Sequence, residues 1–480
     1  MSKVKQKITF VSGNFNILHP GHLRLIKFAK ELGNKLIVGV VSDKLAGKLA
    51  LIPQKLRLES VKSLSWVDEA FIIEDSIEET LFHLKPNFVV KGKEHENTFN
   101  VELKIIEKIG GQLIFSSGET TFSSFDLIQS EVINRTKRHI IPNDYLNRHK
   151  TNVNKIKNII LNFKKLKIIV IGDTIVDEYI SCDPIGMSQE DPTIVVTPVG
   201  SKKYIGGASI VAAHASGLGA EVHYISVCGN DNSSEFVNEK LNEFKVKATI
   251  YKDNSRPTTL KQRYRAKGKT LLRVSHLHQG AIPKIIQDKI YKKVSKLINA
   301  CDLIVFSDFN YGVLTDELIE SITKIAINRK ILMVADSQSS SQTGDIGRFK
   351  YMDLITPTER EARLSLRDNQ NGLIVLAEKL KENSFTKNIF LKIGEEGLII
   401  HADDKNNKEW KTDRIPALNS NPIDVAGAGD SMLIAGSMAL TLKATIWESA
   451  LIGSIAASIQ VTRIGNIPLT QNELLNTLYE

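Results

Sequence analysis

The sequence predicts an α/β protein of two domains, a small doubly wound parallel sheet followed by a larger α/β domain. Three observations predict it. Strand-like and helix-like runs alternate from residue 8 to residue 130, and a second alternation begins at "KIIVIGD" (167–173). Between them lies a basic stretch in which Asp144 is the only acid from Ile133 to Lys167. Such alternation means parallel strands covered by helices, and 480 residues exceed one ordinary domain. The expected boundaries are a first domain over 1–132, a solvated basic linker over 133–164 with the helical tail "NVNKIKNIILNFKKL", and a second domain over 165–480.

In the first domain a strand (Ile8, Phe10, Val11) runs into a helix opened by Gly21, with Leu23, Leu25, Ile26 and Phe28 inward. "KLIVGVVSD" (35–43), "EAFIIED", "NFVVKG" and "GQLIFSS" read as strands; "KLRLESVKSLSWVD" (55–68), "IEETLFHLKP" and "ELKIIEKIG" read as helices between them. Ligands of such sheets bind at the carboxyl ends of the strands. His19, Asp43, Lys91 and the stretch Ser116 to Ser124 all follow strands, so one site can collect them. The second alternation passes through "EVHYISVCGND", "CDLIVFSD", "KILMVADS", "YMDLITPT", "NIFLKIGEEGLIIH" and "GAGDSMLIAGSMALTL".

Hydrophobic content of 42% and charged content of 24% are ordinary for a globular protein. No apolar run approaches the roughly 20 residues of a membrane span, and "MSKVKQK" has no apolar signal core behind it. Cys182, Cys228 and Cys301 are too few and too scattered for a metal cluster or a disulfide framework, which points to a reducing cytoplasm. The net charge of +9 suits phosphorylated substrates. The expected partners are small molecules, with neither nucleic acid nor membrane, and the expected assembly is a homodimer or higher homo-oligomer.

"HPGH" places His19 and His22 where strand becomes helix. A helix N-terminus attracts anions through free N–H groups and its dipole, so imidazoles there can touch a phosphate. Packing and capping are the competing roles for such histidines. In context the stretch resembles the HxGH signature of the cytidylyltransferase-like nucleotidyltransferases. Asp43 ends "VVSD", with Lys44 and Lys48 behind it and Arg57 opening the next helix; "KGKE" (91–94) looks like the family's K/R-G-x-D turn. "SSGETTFSS" (116–124) resembles its closing Ser/Thr motif, with Glu119, Ser123 and Ser124. The resemblance implies a Rossmann-like nucleotidyltransferase whose nucleotide contacts are Gly13, Asn14, Phe15, His19, His22, Lys91, Gly92, Ser123 and Ser124. Lys48 would neutralise the attacking phosphate. Asn16 stands where the family usually has Asp, and Ser117 where the glycerol-phosphate branch has Arg, which leans toward sugar phosphates and leaves ATP and CTP both open.

"DVAGAGDSM" (424–432) resembles the second signature of ribokinase-like, PfkB-type sugar kinases. Gly427, Ala428 and Gly429 start a helix, and small residues let its N–H groups close on a phosphate as an anion hole. Asp430 would be the general base that takes the proton of a sugar hydroxyl. The remaining motifs arrive in order. "IGDTIVDEY" carries Asp177 and "YIGGAS" carries Gly206 and Gly207, all expected at the sugar; "VCGND" gives the turn of Gly229 and Asp231; "TPTEREA" carries Glu361, expected to act on Mg2+ indirectly; "KIGEEG" (392–397) lies beside the nucleotide. The family's small β lid is expected in the stretch "GMSQEDPTIVV" (186–196), and Lys261 and Arg263 alternate onto one strand face of "RPTTLKQRY", suited to a substrate that already bears a phosphate. Four positions depart from the family pattern: Ile210 for Asn, Tyr311 for Lys, Thr358 for Asn and Ser275 for Asp.

Joined, the two halves resemble the two-activity heptose enzymes, a heptose 7-phosphate kinase with a heptose 1-phosphate adenylyltransferase, here in the opposite order. The resemblance implies ATP as substrate, Mg2+ as cofactor and ADP-heptose as product, with a separate phosphatase between the steps. The alternatives are the same pair of activities on another sugar phosphate with CTP, and a nucleotide- or sugar-binding regulator with a decayed kinase.

Overall fold

The computed structural model describes residues 7–18, 20–92, 102–116, 141–266, 269–339, 344–402, 412–419 and 421–478. His19, Ser123, Ser124, Ser117, Glu119 and the side chain of Lys48 lie outside the described residues. The chain divides into two compact units, one built on Met1–Lys137 and the other on Arg138–Asn371 and Leu376–Glu480.

In the first unit, β1 (Ile8–Gly13), β2 (Lys35–Val41), β3 (Glu69–Ile73), β4 (Phe88–Gly92) and β5 (Gln112–Ser116) form a sheet in the order β3-β2-β1-β4-β5, every neighbouring pair parallel. Strand pleating divides neighbours between two cores. Val11 and Val38 join Ile26, Ala29 and Val61 on one face; Phe10 and Ile37 join Leu81, Val89 and Ile106 on the other. The winding reverses between β1 and β4, which opens a crevice at their carboxyl ends. The helix Pro20–Leu32 starts there.

The second unit holds a nine-stranded sheet: β6 (Lys167–Gly172), β9 (Glu221–Cys228), β10 (Lys247–Lys252), β13 (Leu303–Asp308), β14 (Leu332–Ser337), β15 (Leu354–Ile355), β16 (Asn388–Lys392), β17 (Leu398–His401) and β18 (Thr412–Ile415). Its order is β10-β9-β6-β13-β14-β15-β16-β17-β18, parallel as far as β16 and antiparallel beyond. A separate four-stranded sheet, β12-β11-β7-β8, consists of β7 (Thr174–Met187), β8 (Ile194–Gly207), β11 (Thr259–Ala266) and β12 (Lys269–His276). This is the small lid sheet expected from the sequence. The helices Ala428–Thr441 and Ile446–Gln460 carry almost unbroken buried faces into the core.

The expected linker is corrected. Its described part, from residue 141 on, belongs to the second unit. The helices Asn143–Arg148 and Val153–Leu161 bury Tyr145, Leu146, Ile156 and Ile160 in the same core as Leu433 and Trp447, with Phe163 beside them. Basic residues line the exposed side of an amphipathic segment, so net charge concealed an apolar stripe.

Candidate active sites

In the second unit, Gly427 caps the helix Ala428–Thr441 in the left-handed region (φ 75°), which an alanine would enter only with strain. Its Cα hydrogens face the amide of Asn466, leaving no room for a Cβ. Asp430 lies in the first helical turn, 5% exposed, and accepts a hydrogen bond from Gln338 Nε2 at 3.1 Å. Burial, and then the neighbouring Asp336 carboxylate, push the Asp430 carboxyl up to about 7, against the pull of Lys392 and Lys261. Lys392, at the end of β16, donates to Asp336 Oδ1 at 2.9 Å and lies against Gly429. Burial lowers its pKa, but Asp336, Glu361 and Asp430 together raise it further, so it stays an ammonium.

Glu361 is half of a capping box: its Oε2 accepts the Thr358 N–H at 2.7 Å while Thr358 Oγ1 accepts the Glu361 N–H at 3.2 Å. Its Oε1 accepts the Ser339 N–H at 3.0 Å. Thr358 thus performs at that position the cap that Asn would perform.

Asp177, on β7, pairs with Arg263 on β11 and accepts from Asn466 Nδ2 at 3.3 Å. Gly206, paired with Ile175 across β7 and β8 and so diagonal to Asp177, must lack a Cβ because the Asp177 carboxylate occupies that space. Gly207 opens the helix Ala208–Gly217 at φ 61°. Lys261 is buried with its ammonium 5.3 Å from the ring centres of both Phe309 and Tyr311. Tyr311, in place of the expected Lys, therefore forms the aromatic seat of Lys261. Ile210 is wholly buried, and Ser275 stands opposite Lys261 on β12. The fold gathers Asp430, the Gly427–Gly429 turn, Asp177, Gly206, Lys261 and Arg263 at one place. Arg263 spends its charge on Asp177, which the spacing argument did not foresee. Gln338, Asp336 and Asn466 were not singled out by sequence, and Lys392 only as the first residue of "KIGEEG"; the signal that would have found Asp336 and Gln338 is their position at or just past the carboxyl end of β14.

In the first unit Gly13 ends β1, Lys91 and Gly92 end β4, and His22 lies in the first turn of Pro20–Leu32. Phe15 (φ 48°) is buried and meets the His22 ring edge-on at 5.1 Å. His22 Nδ1 lies 3.1 Å from the Ile17 carbonyl oxygen, which can only accept, so Nδ1 carries the proton. Asn16 donates to Leu49 O at 2.7 Å and accepts from Leu51 N at 2.9 Å. An Asp could not make that pair of bonds, which accounts for the departure at this position. Arg57, 1% exposed, ties the strand ends together by donating to Ile52 O (2.7 Å), Asn14 O (2.6 Å) and Asp43 Oδ1 (2.5 Å). Its hydrogen bond, ahead of the Gln54 N–H, holds the Asp43 carboxyl below the usual carboxylate range. Lys91 is paired with Glu102 at 2.8 Å.

Among the described residues no group of three or more His, Cys, Asp or Glu could hold a metal ion, and no helix is long and apolar enough to cross a membrane.

Two family models match the chain, overlapping over residues 165–179. Residues 10–179 match the family described as cytidylyltransferase-like, and residues 165–472 match the pfkB family carbohydrate kinases. The protein named bifunctional protein HldE from a Nitratiruptor species is 30% identical over 315 residues, 65% of this chain and 64% of that protein. The protein of the same name from Helicobacter hepaticus is 29% identical over 325 residues, 66% of this chain and 65% of its own. The chain thus matches just under two thirds of the length of these relatives. Among solved structures, phosphofructokinase-2 from Escherichia coli superposes with a TM-score of 0.54 at 15% identity, covering 65% of this chain and 98% of that one. Ribokinase from Thermotoga maritima gives 0.50 at 22%, covering 66% and 100%. These likenesses are of fold; the match over residues 165–472, a span that includes the glycine turn and buried aspartate described above, shows that the chain belongs to the pfkB family of carbohydrate kinases.

Proposed function

We propose that the chain carries two activities of nucleotide-activated sugar synthesis. The second unit phosphorylates the anomeric hydroxyl of a heptose 7-phosphate with ATP. The first transfers AMP from ATP to a sugar 1-phosphate with release of pyrophosphate, giving ADP-heptose. The observation that carries the kinase half is Asp430, buried at the start of a helix whose glycine turn offers N–H groups, with its carboxyl raised to about 7. A base poised there takes the hydroxyl proton as the sugar oxygen bonds to the γ-phosphorus and ADP leaves. The N–H groups of Gly427, Ala428 and Gly429, with Lys392, receive the charge on the transferring group. Asp177, with Gly206 and Gly207 behind it, would hold sugar hydroxyls; Lys261 would face a phosphate the substrate already bears.

A magnesium ion would enter with the nucleotide as part of the substrate, neutralising charge on the phosphate oxygens. Asp336 fits it, since its buried Oδ2 has no hydrogen-bond partner. Glu361, with both oxygens occupied by backbone N–H groups, would reach it through water.

In the first unit, His22 and His19 would hold triphosphate oxygens at the start of Pro20–Leu32 while the sugar phosphate attacks the α-phosphorus. Gly13, Asn14, Phe15, Lys91 and Gly92 would frame the nucleotide at the reversal of the sheet, with Ser123 and Ser124 completing it. Lys91 would exchange Glu102 for the nucleotide. Three buried free cysteines accord with a reducing cytoplasm. The test is incubation of the full chain with heptose 7-phosphate or heptose 1-phosphate and with ATP or CTP, products identified by mass. A sugar bisphosphate and ADP-heptose are expected; CDP-sugar would replace the nucleotide assignment, and no sugar-dependent turnover would refute the reading.

A further inference from the structure

We propose that Tyr179 is a positioning residue that joins the sugar-facing strand β7 to the anion-binding turn, so that both halves of the kinase site are set together. The inference rests on the kinase reading above. Tyr179 follows Asp177 by two residues on β7 and so shares its face. Its hydroxyl donates to Asp424 Oδ2 at 3.0 Å. The same oxygen accepts the Gly465 N–H at 3.1 Å, and Asp424 Oδ1 accepts the Ala426 N–H at 3.1 Å. Ala426 precedes Gly427, so this carboxylate shapes the turn whose N–H groups would meet the γ-phosphate.

The ring of Tyr179 is held as firmly as its hydroxyl. The Arg263 guanidinium lies 5.1 Å and that of Arg265 5.5 Å from the ring centre. Tyr204 of β8 meets the ring edge-on at 5.5 Å and itself fills the space where a Cβ on Gly465 would stand. Arg263 also pairs with Asp177. A continuous path therefore runs from Asp177 through Arg263 and the Tyr179 ring to Asp424 and the turn. A sugar hydroxyl on Asp177 would share that carboxylate with Arg263, whose guanidinium also lies over the ring that holds Asp424. Burial, ahead of all other influences, raises the Tyr179 hydroxyl above its ordinary range, so at working pH it keeps the proton it donates to Asp424.

The experiment uses the full chain with a heptose 7-phosphate and ATP. Tyr179→Phe keeps the ring, its cationic neighbours and its packing, and removes one hydrogen bond to a charged acceptor. The expected result is a kcat lower by about ten- to a hundredfold, the usual worth of such a bond, with KM for the sugar little changed. Asp424→Asn should fall similarly, and the double variant should be no worse than the poorer single one, because both cut the same link. Nucleotidyl transfer should persist in all three. A folded Tyr179→Phe with wild-type kcat, or losses that add in the double variant, overturns the proposal. So does a loss of turnover that follows the melting curve and recovers fully where the variant is folded. An inactive wild type overturns the kinase reading and this proposal with it, whereas an active wild type beside an equally active Tyr179→Phe overturns only the positioning role.

Discussion

At the scale of single residues, burial sets the proton affinity of the candidate base. Asp430 is buried beside Asp336, and its carboxyl rises to about 7. The kinase rate should therefore climb with pH through about 7 as the base form accumulates. Asp430→Asn should lower phosphorylation by about 10²–10⁴-fold and leave nucleotidyl transfer intact. Stability supplies an independent check. A carboxyl whose pKa is raised by folding contributes fully below its unfolded value near 3.8 and loses that contribution as pH rises through about 7. Asp430→Asn, which cannot ionise, should gain in melting temperature over the wild type between pH 5 and pH 8; a constant difference would refute the shift. His22 turns its Nδ1 proton to Ile17 O at the start of Pro20–Leu32. His22→Ala should cost about 2–4 kcal/mol of transition-state stabilisation, read as pyrophosphate release. A packing histidine would instead lower the melting temperature and leave turnover per folded molecule unchanged. Asp430, Asp177 and Gly206 were legible because each sits in a short motif whose chemistry is local. Gln338 and Asn466 were not, because they reach the site from remote loops, and a sequence does not show which ends of which strands become neighbours.

At the scale of elements, what could be read was the alternation of strand and helix, since most strands of the two parallel sheets are apolar runs set between longer helical stretches. Strand order could not, because β1 and β4 pair across the whole β2–β3 excursion. The partner of Arg263 was hidden for the same reason: β7 and β11 are parallel neighbours, in register at Lys261 with Asp177, though far apart in the chain. The glycine turn shows how an element depends on such a contact. Gly427 combines a left-handed backbone with the nearby Asn466 amide, whose Nδ2 in turn donates to Asp177. Gly427→Ala should incur about 1–2 kcal/mol of backbone strain and displace Asn466. Kinase turnover should therefore fall together with sugar affinity. Adding Asn466→Ala should restore part of the stability by making room, but not the activity. Full recovery of turnover in the double variant would mean that Asn466 only fills space.

At the scale of the whole chain, the point at issue is where the second unit begins. Charge alone marked 133–164 as a solvated linker, yet the spacing of Ile156, Ile160 and Phe163 already carried a helical stripe that the lysines masked. In the fold that stripe closes the core over the helix Ile446–Gln460. Tyr145 donates its hydroxyl to Trp447 O at 2.8 Å, His149 stacks on the Trp447 ring with centres 4.3 Å apart, and its Nε2 meets Asp413 at 2.6 Å. Thr151 donates to the Glu448 carboxylate at 2.8 Å, and Lys155 pairs with it at 2.7 Å. Removing this segment would uncover an apolar surface to which each large side chain contributes about 1.5–3 kcal/mol. It would also leave Glu448, 1% exposed at its side chain, without two of its partners. A fragment of residues 138–480 should therefore be soluble, melt cooperatively and phosphorylate sugar, while one of residues 165–480 should aggregate or melt far lower. Residues 1–137 should fold separately, since the first unit has both faces of its sheet covered by its own helices. Equal melting temperatures for the two longer fragments would return the segment to the status of a linker, and failure of residues 1–137 to fold would deny that the units are independent.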